Sequence, residues 1–130
     1  MPLKEIAPGE PRDWTRHAWS DLELARVGSN SRILLEDLCF HAQQAAEKAF
    51  KAVLVFLFVP FPKTHNIRTL LDLLPDAMDL PAEVQEAPSL TDYAVLTRYP
   101  GDFEPDTEQE YLEAVRIAEA VVQWAEKIVK

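Results

Sequence analysis

The chain is short of the residues that most site chemistry and irregular architecture require. Three glycines in 130 residues leave no Gly-rich phosphate loop and no flexible linker, so residues 1–130 read as a single domain. A single cysteine, Cys39, excludes an intrachain disulfide. It lies in an apolar helical stretch and reads as a small core residue rather than a nucleophile. The three histidines, His17, His41 and His65, are too widely spread to form a ligand pair, so no metal and no cofactor is expected. There is no Gly-x-Ser-x-Gly elbow, no internal repeat and no low-complexity tract. Long hydrophobic runs are missing too. Residues 1–20 hold no signal-like apolar run, and Ala52–Val59 falls well short of the roughly 20 residues that a membrane helix needs. The expectation is a cytoplasmic protein with no membrane partner.

Positive charge is in deficit, and unevenly so. The net charge is −9; residues 1–68 carry 9 Lys/Arg against 8 Asp/Glu, and residues 69–130 carry 4 against 14. The acidic second half repels phosphate backbones, which argues against broad nucleic-acid binding. A local basic groove in the first half stays open.

What is present is helical periodicity. Residues 1–11 contain three prolines and read as an irregular arm. Asp13 is placed to cap a first helix over Trp14–Val27, with Trp14, Ala18, Leu22 and Ala25 on one face and Gly28 closing it. Of Trp14 and Trp19, five positions apart, one is expected in the core and the other outside it. Ser31 is placed to cap a second helix over Arg32–Phe58, about 40 Å long. Its stripe is Leu38, Ala42, Ala45, Ala49, Val53 and Leu57, and its last turns, Val53–Val59, are apolar all round, which predicts a helix end buried on several sides. Thr64 or Asn66 caps a short helix ending near Leu74. Ser89 with Asp92 resembles a capping box opening a helix over Leu90–Arg98, with some helix also before Pro88. Thr107 with Glu110 is a second capping-box pattern, starting a last helix to about Val129 with Tyr111, Val115, Ala118, Val122, Ala125 and Val129 inward. No two segments pair convincingly as strands. The fold class is all-α, an up-and-down four-helix bundle with an additional short helix.

On the second helix, His41, Gln44, Lys48 and Lys51 are spaced by three, four and three residues and share one stripe beside the apolar one. Two readings stand. In one the stripe edges a groove, with Lys48 and Lys51 holding a phosphate and His41 and Gln44 bonding a base or sugar. In the other it is a solvated face carrying Glu47–Lys51 as an i,i+4 ion pair. His65 is either a helix-start or core-bonding residue, or a ligand contact.

Four segments resemble HEPN domains of prokaryotes: Trp14…Ala18…Asp21-Leu22…Ala25; Phe40-His41-Ala42-Gln43-Gln44-Ala45-Ala46-Glu47-Lys48-Ala49 with Lys51-Ala52; Thr64-His65 before Leu70-Leu71; and Tyr93-Ala94-Val95-Leu96-Thr97-Arg98-Tyr99-Pro100 before an acidic helix. Together they span nearly the whole chain. The resemblance implies a helical bundle, usually a homodimer, often acting beside a minimal nucleotidyltransferase as a substrate-binding subunit or as the toxin of a toxin–antitoxin pair. Many such domains are metal-independent RNases that use an Arg followed, four to six residues on, by a His.

This chain departs from that pattern, because all three histidines precede Arg98 and none follows it. RNA cleavage through the 2′-hydroxyl needs proton transfer both ways near neutrality, which imidazole does best. Asp102 or Glu104 would need a strongly raised pKa to replace it. Arg12…His17 matches the pattern literally but lies before the first helix, outside the family's catalytic position. Arg98 is then a phosphate or dimer contact, or a cation at a helix C-terminus. Tyr99 beside it is a contact or, by the resemblance, an acceptor of AMP from the transferase. The expectation is a nucleotide- or RNA-binding module, not itself an enzyme, with an RNase toxin rebuilt around Arg98 as the alternative. Ligand contacts are expected at His41, Gln44, Lys48, Lys51, His65, Arg98 and Tyr99.

Overall fold

A computed structural model describes residues 9–28, 32–94 and 104–130. Five α-helices and one 3₁₀ helix follow one another: α1 (Pro11–Ala25), α2 (Leu35–Phe56), α3 (Ile67–Asp72), α4 (Ala82–Glu86), the 3₁₀ helix (Ala87–Ala94) and α5 (Glu108–Val129). No strand element is found among these residues. The architecture is the expected all-α bundle.

α2 is its axis. At 22 residues it is about 33 Å long, and it packs along both α1 and α5, which also touch each other. Ala42, Ala45, Ala46, Ala49 and Ala52 are all fully buried. With only a methyl group at each, neighbouring helices approach closely while keeping high helix propensity. Phe50, also fully buried, fills the space this leaves toward α5 and meets Trp124 with ring centroids 5.6 Å apart. Tyr111 of α5 donates from its hydroxyl to the Ala25 carbonyl at 2.6 Å, closing the end of α1. Burial pushes its phenol above the usual range.

The helix boundaries show where local signals were overruled. α1 begins at Pro11, not after Asp13. Proline suits the first helical turn, where its missing N–H has no intrahelical partner. Asp13 instead sits inside that turn, accepting from the Gly9 N–H at 3.1 Å and from Arg16 at 2.6 Å; the Gly9 N–H foremost, then Arg16, hold its carboxyl below the ordinary range. The chain leaves α1 through Arg26 and Val27 to Gly28, whose φ of 85° is the left-handed conformation expected there. Trp14 and Trp19 are both half-buried, so neither takes the core position expected of one of them. α2 starts at Leu35 after Leu34, which makes no side-chain cap; Ser31 lies outside the described residues. Asn66 caps α3, its side-chain oxygen accepting from the Arg68 N–H at 2.9 Å. Thr107 and Glu110 form the reciprocal capping box at α5.

The Leu90 helix is different from expectation. The helix expected before Pro88 is present as α4 from Ala82, but Pro88, lacking a donor, tightens the chain into a 3₁₀ helix instead of allowing a new α-helix to start at Ser89. The part of that expected helix beyond Ala94 lies outside the described residues.

The end of α2 is also not buried on several sides. Val53 and Leu54 are fully buried, but Phe56 is 40% and Phe58 93% exposed. The helix stops in a Schellman arrangement, with the Val59 N–H on the Leu54 carbonyl and the Phe58 N–H on the Val55 carbonyl. That motif puts Phe58 in the left-handed region at φ 59°, a place usually held by glycine. Phe58→Gly is therefore expected to stabilise the fold by up to about 1 kcal/mol, since a Cβ in this conformation costs about that much. Urea unfolding of the two proteins checks it.

Candidate functional site

The polar residues of α2 occupy one arc of the helix, and α1 closes over part of it. Asp21 lies three residues after Ala18 and four before Ala25, both fully buried, and is itself 8% exposed. A carboxylate in that stripe must find partners, and it has two. One oxygen meets His41 Nδ1 at 3.0 Å and the other meets Lys48 Nζ at 2.6 Å.

Glu47 is the second centre, at 3% exposure. One oxygen accepts from Lys51 Nζ at 2.8 Å. The other meets His65 Nδ1 at 2.9 Å and accepts from Gln43 Nε2 at 3.1 Å. Gln43, fully buried, also donates to the His65 carbonyl at 3.1 Å and accepts from Gln44 Nε2 at 2.7 Å. This ties the segment before α3 to α2. The Lys51 ammonium also lies 5.6 Å from the Trp14 ring centre and 5.9 Å from that of Phe61, and these two rings meet edge to face. Its charge is thus held by one carboxylate and two aromatic faces.

These contacts decide the imidazole tautomers. An ionised carboxylate only accepts, so the Nδ1 of His41 and of His65 each carries a proton, and each Nε2 faces away from its carboxylate. His41 and Lys48 are part-exposed, and the His65 side chain is 70% exposed. Their buried partners lie beneath them. Counting Asp21 and Glu47 against Lys48 and Lys51, the assembly is neutral when both imidazoles are neutral.

Of the expected ligand contacts, the structure brings His41, Gln44, Lys48 and His65 to one region. Lys51 belongs to the same network but is turned inward and nearly buried. The i,i+4 pair Glu47–Lys51 forms, but in the interior and not on a solvated face. Arg98 and Tyr99 lie outside the described residues. The chain on either side of their segment lines a groove of about 380 Å³, with Ser89, Leu90, Tyr93, Thr107 and Glu110 among its walls. Asp21 and Gln43 were not singled out from the sequence, and Glu47 only as the i,i+4 partner of Lys51. The available signal was their spacing, since each is a polar residue at a helical interval from residues that must be core.

Other chemistry is removed. Cys39 is fully buried, and burial, reinforced by the neighbouring Asp106 carboxylate, pushes its thiol up to about 12; it stays neutral and unreactive near neutrality. Arg12 is exposed, and His17 lies 3.6 Å from Asp13 on the surface of α1, away from the network. Among the described residues, no group of three or more His, Cys, Asp or Glu side chains is placed to hold a metal ion, and no helix is long and apolar enough to cross a membrane.

The HEPN domain family model matches residues 11–128. Two crystal structures overlay the fold. One is of an archaeal HEPN homologue, with TM-score 0.70 and 30% sequence identity, covering 93% of this chain and 98% of that one. The other is of a protein from Thermus thermophilus, with TM-score 0.74 and 30% identity, covering 92% and 98%. No curated protein matches the sequence.

The Glu47 centre makes a stability test. Glu47→Leu strands the buried Lys51 ammonium and is expected to cost about 3–5 kcal/mol, whereas adding Lys51→Met to it restores much of the loss. A urea double-mutant cycle measures both. With the family match running over α1 to α5 and two bundles superposing along almost their whole lengths, the chain belongs to the HEPN family.

Proposed function

We propose that this HEPN chain binds nucleotide or RNA on the face carrying His41, Gln44, Lys48 and His65, and that it works beside a separate minimal nucleotidyltransferase without cutting RNA itself. One observation carries the reading. Two buried carboxylates, Asp21 and Glu47, hold an ammonium and two imidazoles in set positions at one partly exposed face. Such pre-oriented donors suit recognition of a phosphate and a base edge. The absence of any histidine after Arg98 supports assigning the covalent chemistry to the partner. Arg98 and Tyr99 are proposed as further contacts.

The test is calorimetry with AMP and ATP, with co-purification of the transferase encoded next to the chain. Lys48→Ala is expected to weaken nucleotide binding roughly tenfold or more, the usual effect of removing a charge-assisted hydrogen bond. Absence of both nucleotide binding and an associated transferase overturns the proposal. So does cleavage of tRNA or mRNA by the pure protein that disappears in Arg98→Ala, which would establish the RNase-toxin reading instead.

We also propose a homodimer, supported by Phe56 and Phe58 standing exposed at the end of α2. A mass of two chains by light scattering, falling on dilution, is the expected outcome. A concentration-independent monomer overturns it.

A further inference from the structure

Among the described residues, the network that would meet a phosphate carries no net charge to attract one. Lys48 Nζ already sits 2.6 Å from Asp21, Lys51 Nζ lies 2.8 Å from Glu47, and the two carboxylates lie just beneath the face. A phosphate dianion placed there meets a neutral array with two negative charges at short range, so any positive charge gained within the network favours its binding. The charged and titratable groups identified around the site are Asp21 from α1; His41, Glu47, Lys48 and Lys51 from α2; and His65 from the segment before α3. The lysines are already ammonium ions. The imidazoles are the groups able to gain charge.

Their geometry makes that gain simple. In each, the Nδ1 proton already points at a carboxylate, 3.0 Å away for His41 and 2.9 Å for His65. A second proton goes to Nε2, on the side away from the carboxylate. It breaks no existing hydrogen bond, adds a positive charge and creates a new N–H donor for an incoming anion.

We infer that this face takes the phosphate monoester of a nucleotide together with at least one proton, which is taken up on His41 or His65 as the anion binds. The inference rests on the nucleotide-binding reading and adds the ligand's charge type and its coupling to pH. Wherever one proton is taken up with the ligand, affinity falls about tenfold for each unit by which the pH rises. Phosphate monoesters lose their own dianion below about pH 6, so AMP affinity is highest near that value. Sulfate, which remains a dianion, binds more tightly all the way down. Asp21→Asn removes the carboxylate that a protonated His41 pairs with, so AMP binding becomes less dependent on pH.

The experiment is calorimetric titration with AMP, inorganic sulfate and a short oligoribonucleotide lacking a terminal phosphate, between about pH 8 and about pH 5.5, in buffers of different ionisation enthalpy. The wild type is expected to take up close to one proton or more per AMP at neutral pH and to bind the oligoribonucleotide more weakly. His65→Gln, at an exposed position, and His41→Gln are each expected to reduce the uptake, and the double variant to abolish it. AMP binding without proton uptake, or uptake that persists in the double variant, overturns the inference while leaving nucleotide binding intact. Tighter binding of the oligoribonucleotide than of AMP overturns the monoester assignment. No binding of AMP or sulfate at any pH overturns the inference and the nucleotide-binding reading together.

Discussion

The architecture around α2 depends on how two carboxylates are kept out of water. Burying an ionised carboxylate without partners costs many kcal/mol, so Asp21 and Glu47 can occupy the interior only because α2 and the segment before α3 bring partners to them. Those partners are the residues that give the face its chemistry. The placement of His41 and Lys48 by Asp21 is therefore a consequence of packing α1 against α2, and that of His65 by Glu47 a consequence of packing the segment before α3 against α2.

α2 meets two demands that usually conflict. It is the most buried helix of the bundle and also the carrier of the polar network. The alanines resolve this. They let α1 and α5 close over most of the helix surface while Gln43, Gln44, Glu47, Lys48 and Lys51 share one arc. Within that arc every buried polar group described has a partner, which is the condition under which such a network rigidifies a core instead of weakening it. Lys51 is the member given over to structure, enclosed by Trp14 and Phe61, while Lys48 and the imidazoles keep an exposed side.

The same helix ends in local strain. Phe58 adopts a left-handed conformation that suits glycine, with its ring in solvent. Nothing in its own packing recommends phenylalanine there. Strain of this kind persists where a surface is shaped for something outside the chain, which agrees with the dimer proposed at this end of α2.

Much of the fold was legible in the sequence, because helix periodicity and capping are local. Thr107 and Glu110 marked the start of α5, Gly28 marked the left-handed exit of α1, and the alanine stripe marked the buried side of α2. Legibility failed where a distant contact or a proline overruled the local signal: Asp13 was drawn into the first turn, Pro88 turned an expected α-helix into 3₁₀, and α2 stopped short of Phe58. For the site, the sequence determined that His41, Gln44, Lys48 and Lys51 share a helix stripe, since 3.6 residues per turn leaves no alternative. Which of them face outward was decided only by tertiary structure, because that depends on Asp21, Trp14, His65 and Phe61, which arrive from other segments. Spacing along one helix cannot report a charge that another helix brings to it.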